Sequence, residues 1–116
     1  MQINQHHTNN IAFGKFYKVK GNHHDIKRLR NNFFEKDNKF LTLSVKKDDN
    51  KRILYLFSGK DFDKFIDLTK KVIFFDLRHN VEKFMPNKPQ KISIKEAKNL
   101  LVKLIFPFLI MGFFIK

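Results

Sequence analysis

The sequence predicts a small α+β domain. Three observations carry that prediction. A chain of 116 residues is the length of one domain. Segments with alternating apolar residues are interspersed with segments of 3.6-residue periodicity. These segments run in the order β-α-β-β-α, followed by an ambiguous stretch and an apolar C-terminal helix. That order begins a ferredoxin-like split βαβ arrangement, which needs one further strand to be complete.

Residues 1–10, MQINQHHTNN, are polar and expected to be flexible, and residues 11–116 are expected to form the domain. IAFGKFYKV, residues 11–19, reads as a strand with Ile11, Phe13, Tyr17 and Val19 on one face and Lys15 as the exception. Gly21-Asn22 ends the strand, and Asn22 is suited to cap a helix with Asp25 in its first turn. In that helix, from His23 to about Phe34, Ile26, Leu29 and Phe33 form the core stripe. His24, Lys27, Arg28 and Asn31 fall on the opposite face, with Arg30 on the flank.

FLTLSVK, residues 40–46, alternates, with Leu41, Leu43 and Val45 inward and Thr42, Ser44 and Lys46 outward. KDDNK then has hairpin-loop chemistry, and RILYLFSG, apolar on both faces, reads as a central strand. A second helix starts at Ser58, Gly59 and Asp61, with Phe62, Phe65, Ile66, Thr69, Val72 and Ile73 at helical spacing. Asp61, Asp63 and Asp67 lie early in it and Lys70 and Lys71 late, as the helix dipole favours.

VIFFDL, residues 72–77, fits either the end of this helix or a fourth strand, and residues 91–94 are the other candidate for that strand. RHNVEKFMPNKPQK reads as a polar loop. SIKE, residues 93–96, is a capping box that opens a C-terminal helix expected over residues 93–115. Ala97, Leu100, Leu101, Leu104, Ile105 and Phe108 form one face of it.

LLVKLIFPFLIMGFFI, residues 100–115, is sixteen residues with a single Lys. As a helix it would reach about 24 Å, less than the roughly 30 Å hydrocarbon core of a bilayer, and Pro107 would kink it. The first reading of this segment is a core or oligomer-interface element. The alternatives are membrane association through residues 100–115, with Lys103 snorkelling, and docking into a partner's groove.

Net charge is +13 and the pI about 10.1. Residues 13–32 and 86–116 each carry a net +5, whereas residues 33–52 and 53–85 carry +2 and +1. A domain this basic suits a polyanionic partner. An A+T-rich coding sequence favours the same Lys, Asn, Ile and Phe residues, so a solvated charged face is the plainer account of the same counts. The expected partner is RNA, DNA or a nucleoprotein, with an acidic protein surface as the alternative. The grip would be electrostatic, through Lys15, Lys18, Lys20, Lys27, Arg28 and Arg30, with His24 and Asn31 adding hydrogen bonds. Lys88, Lys91, Lys95 and Lys98 form a second basic patch. One variant of this reading is an inhibitor that docks near the nucleic-acid channel of a larger enzyme.

Tyr17 and Tyr55 are candidates for base stacking, as aromatics on the central strands of RNA-binding sheets are. The architecture resembles an RNA-recognition motif, but KRILYLFS lacks the glycines of that family's sequence pattern. Core packing is the plainer role for Phe57 and its neighbours.

The chain has no cysteine, which excludes disulfides, thiol catalysis and thiolate metal sites. The N-terminus has no basic stretch leading into an apolar one, so no signal peptide is expected. His6-His7 and His23-His24 are adjacent pairs, and neighbours do not share a helix face. No metal or cofactor is expected. KVKGNHH, residues 18–24, is similar to the Gly-x-His segment of HicA-type mRNA-interferase toxins, although the helix those toxins carry before it has no counterpart here. That resemblance implies a small ribonuclease using His23 or His24. No carboxylate pair, phosphate loop or nucleophile motif accompanies it. The sequence therefore favours a non-catalytic binding protein of the cytoplasm over a membrane-associated protein or a ribonuclease.

Overall fold

The computed structural model describes residues 14–36 and 39–105. Its elements are β1 (Lys15–Asn22), α1 (His23–Lys36), β2 (Leu41–Lys46), β3 (Lys51–Ser58), α2 (Gly59–Lys71), α3 (Phe74–His79), α4 (Val81–Phe84), β4 (Gln90–Ile92) and α5 (Ile94–Ile105). The α+β class is as expected. The four strands form one mixed sheet in the order β2-β3-β1-β4. β3 runs antiparallel to β1 and to β2, and β4 runs parallel to β1.

β1 and β3 are the central strands, and each buries apolar residues on both faces of the sheet. Val19, Leu54 and Leu56 point to one side, where they are buried against Ile26, Leu29 and Phe33 of α1 and Ala97 and Leu101 of α5. Phe16, Tyr55 and Phe57 point to the other, where they meet Phe65 and Leu68 of α2, Leu77 of α3, Val81 of α4 and Met85. Phe57 stacks between Phe16 and Phe65, with ring centroids 4.8 and 4.5 Å away. Helices thus cover both faces of the sheet.

Several expectations are corrected. The strand order is that of the split βαβ arrangement, but the ferredoxin-like expectation fails on the direction of β4 and on the second helical layer. On β1 the expected face of Tyr17 and Val19 holds, but Phe16, on the opposite side, is as deeply set in a core. The second helix stops at Lys71, because Val72 and Ile73, both β-branched, adopt extended backbone. Ile73 is therefore exposed rather than part of the α2 stripe. VIFFDL makes neither a strand nor the end of α2; it leads into the separate short helix α3. Within RHNVEKFMPNKPQK, Val81 and Met85, four residues apart, fold inward and set the turn of α4. The fourth strand comes from Gln90–Ile92.

The caps expected at Asn22 and at Ser93–Glu96 both form. Asn22 Oδ1 accepts from the Asp25 N–H at 2.8 Å. Ser93 Oγ accepts from the Glu96 N–H at 3.0 Å while Glu96 Oε1 accepts from the Ser93 N–H at 2.9 Å. Ser58 makes no side-chain cap, and Gly59 supplies the left-handed backbone (φ 59°) that starts α2. Asp61 is buried there, accepting from Asn87 Nδ2 at 3.2 Å. Ala97 and Leu101 make the beginning of the apolar C-terminal segment part of the core. Phe108 and the rest of residues 106–115, like Ile11, Phe13 and residues 1–10, lie outside the described residues. Among the described residues no helix is long and apolar enough to cross a membrane.

Candidate anion-binding groove

β1 passes into α1 without a loop, since Asn22 is both the last strand residue and the helix cap. The His23 N–H donates to the Asn50 carbonyl at 2.9 Å, tying the start of α1 to the β2–β3 hairpin. In that hairpin Asp48 Oδ1 accepts from the N–H groups of Asn50 and Lys51 at 3.0 and 2.9 Å. The first turn of α1 is thereby held beside β2, the edge strand.

One side of α1 carries His23, Lys27 and Arg30, at i, i+4 and i+7. These three line a groove of about 450 Å³ along the β2 edge. Its floor is Thr42 and Ser44 of β2 and Arg52 of β3. Its far wall is Phe74 and Arg78, four residues apart on α3, which reaches round the edge from the opposite layer. Arg52 Nε donates to Ser44 Oγ at 2.9 Å, which fixes the guanidinium against the sheet. Lys27, Arg30, Arg52 and Arg78 have no ion-pair partner among the described residues, and no carboxylate lines the groove. Asp48 and Asp49 lie in an adjoining recess that also touches His23 and Arg52. Asp48 is occupied by the hairpin, and Asp49 faces Lys46 at 3.9 Å.

Four permanent cations, two hydroxyls and one imidazole around an acid-free groove suit a multiply charged oxyanion. Guanidinium groups bind phosphate bidentately, and a fixed one loses less freedom on binding. The imidazole rings of His23 and His24 make no hydrogen bond among the described residues, and they sit 6.0 Å apart, edge to face. The glycine of KVKGNHH has a packing reason. A Cβ on Gly21 would lie 2.6 Å from Ile94 Cδ1 and 3.3 Å from Ile26, so its absence lets α5 close against α1.

The residues expected to form the grip are dispersed. Lys27 and Arg30 line the groove, whereas His24, Arg28 and Asn31 are exposed elsewhere on α1 and do not line it. Lys15 lies on β1 on the sheet face that carries α1 and α5. Lys18 is on the reverse face, its side chain 14% exposed and its Nζ 2.6 Å from Glu82 Oε2. Tyr55 Oη donates to the same oxygen at 2.6 Å. Burial pushes the Glu82 carboxyl up, but hydrogen bonds from Lys18 and Tyr55 and the charges of Lys18 and Lys91 outweigh it and hold the carboxyl below its usual range. Burial and the bond to Glu82 push the Tyr55 hydroxyl well above its usual range.

The Tyr17 and Tyr55 rings project from opposite faces of the sheet, so they do not form one shared platform. Tyr55 is buried, and Tyr17 lies beside Phe40 and lines a smaller recess of about 260 Å³ at the β4 edge. Lys20 is exposed on the Lys18 face. The charge of nearby Lys47, then those of Lys18 and Lys91, hold its ammonium below the usual lysine range. The second basic patch is divided. Lys91 pairs with Lys18 in register, Lys88 is exposed before β4, and Lys95 and Lys98 are exposed on α5, in the same helical layer as α1.

Arg52, Arg78, Phe74, Thr42 and Ser44 belong to the groove without having been expected there. An Arg opening an otherwise apolar central strand, with a Ser on the neighbouring strand, was the available signal for Arg52. Among the described residues no group of three or more His, Asp or Glu side chains is placed to hold a metal ion. Comparison with protein families, curated proteins and solved structures finds no match.

Proposed function

We propose that the protein is a small, non-catalytic module that binds nucleic acid or a nucleoprotein through the α1–β2–α3 groove, in the cytoplasm. One observation carries the reading: Lys27, Arg30, Arg52 and Arg78 converge on one groove without a carboxylate among its lining. Clustered cations without counter-charge repel one another, and a polyanion relieves that repulsion while releasing its own counterions. Lys95 and Lys98 on the neighbouring helix α5 extend the positive potential across the same layer. The net charge of +13 adds long-range attraction to the same class of partner. No residue of the groove is paired as nucleophile and base, so the reading is of binding alone.

Charge reversal in the groove against charge reversal outside it tests the proposal. Arg30→Glu and Arg52→Glu are each expected to weaken binding of a labelled RNA or DNA oligonucleotide by about tenfold or more, the scale of a lost charge-assisted hydrogen bond. Arg28→Glu, on the same helix but outside the groove, is expected to have a smaller effect. Equal losses at all three positions, in fluorescence anisotropy at low salt, would mean a diffuse charged surface and no groove site.

A further inference from the structure

α3 is a six-residue helix that buries one side chain, Leu77, in the core. The residues around it are unusually apolar for a surface: Ile73 is 73%, Phe74 48% and Phe75 67% exposed. Leaving large apolar side chains in water forgoes the gain of burying them, and contiguous exposed apolar groups mark a binding surface. The helix sorts these groups by spacing. Phe74 and Arg78, at i and i+4, line the basic groove. Phe75 and His79, the next such pair, pack ring to ring at 4.3 Å and 37°, with His79 Nδ1 2.8 Å from the Phe75 carbonyl oxygen. An aromatic rim therefore adjoins the cations of the groove.

We infer that the groove takes single-stranded nucleic acid in preference to duplex, with phosphates on Lys27, Arg30, Arg52 and Arg78 and a base stacked on the ring of Phe74. This rests on the nucleic-acid reading above and deepens it. A positively charged groove beside aromatic faces is the general chemistry of single-strand recognition, because every base has a stacking face that a duplex hides. The charge of the groove selects among occupants of the apolar rim. A purely apolar partner would leave four unpaired cations against it, whereas a single strand satisfies rings and cations together. Phe75, one residue on, does not line the groove and packs on His79, so the stacking contact is assigned to Phe74 alone.

The experiment compares a labelled single strand of about twelve nucleotides with a duplex of the same length, using the full chain and the variants Phe74→Ala, Phe74→Leu and Arg30→Glu/Arg52→Glu. The expected result is tighter binding of the single strand, a loss of at least about fivefold in Phe74→Ala, a similar loss in Phe74→Leu, and little change of duplex affinity in either. Both substitutions are at an exposed position, so folding is retained. Retention of affinity by Phe74→Leu would overturn the stacking role, since an aliphatic group would then suffice. Equal binding of strand and duplex, unaffected at Phe74 but lost in Arg30→Glu/Arg52→Glu, would overturn the single-strand inference and leave the basic groove standing. Binding indifferent to Arg30→Glu/Arg52→Glu would remove the underlying reading as well. A dimer in sedimentation velocity that Phe75→Ala dissociates, with nucleic-acid affinity unchanged, would assign the rim to self-association and also overturn the inference.

Discussion

Lys18 illustrates how one side chain's role depends on its strand face. By sequence it belongs to a run of cations available to a ligand. On β1 it falls on the same face as Tyr55, and Glu82, from a segment expected to be loop, closes over both. The Tyr55→Phe variant should lose about 1 kcal/mol of stability in urea unfolding, the net worth of one hydrogen bond. The pH dependence has a definite sign. Glu82 titrates lower in the folded state than its usual 4.5, so its contribution is present above about pH 4.5 and is lost as pH falls below it. Tyr55 titrates higher when folded than its usual 10.0, so its contribution is present below pH 10 and is lost as pH rises past it. Glu82→Gln should therefore flatten the acid limb of a stability–pH profile. An unchanged acid limb would mean that the Lys18–Glu82 contact is absent in solution. None of this was legible in the sequence, because Lys18 and Glu82 are 64 residues apart and only the fold brings them together.

At the scale of elements, regular and strongly patterned segments were readable. The β3 stretch, apolar on both faces, could only be central, and SIKE marked the start of α5 by its own hydrogen-bonding logic. Residues 72–85 were not readable, because α3 and α4 are each shorter than two helical turns and carry no full period of apolar residues. Their short-range pattern, FF then V four residues before M, gains meaning only against the Phe16–Phe57–Phe65 core. The α1–α5 contact gives a test at this scale. Gly21→Ala should destabilise by about 1 kcal/mol, because the new methyl overlaps Ile94 Cδ1. Ile94→Val removes that same Cδ1 atom, so the double variant should recover much of the loss relative to Ile94→Val alone. Additive losses in thermal unfolding would show that α5 does not sit against Gly21.

For the whole molecule, strand order was legible and strand direction was not. After β3 a single helical crossover would deliver β4 antiparallel to β1, giving the ferredoxin-like sheet with one open face. The extra helices α3 and α4 turn the chain back, so β4 enters parallel to β1 and the second face is covered. That covering removes the open sheet as a surface for bases and, by bringing α3 to the β2 edge, builds the groove in its place. The basic candidate site was thus half legible: the α1 stripe gave Lys27 and Arg30, whereas Arg52, Phe74 and Arg78 join it only through topology. The most direct test of this account is the salt dependence of single-strand binding. With four groove cations on phosphates, the plot of log affinity against log salt should have a slope of about −3, and about half that in Arg30→Glu/Arg52→Glu. A slope near zero, or one unchanged by the two substitutions, would contradict it by placing the phosphates elsewhere.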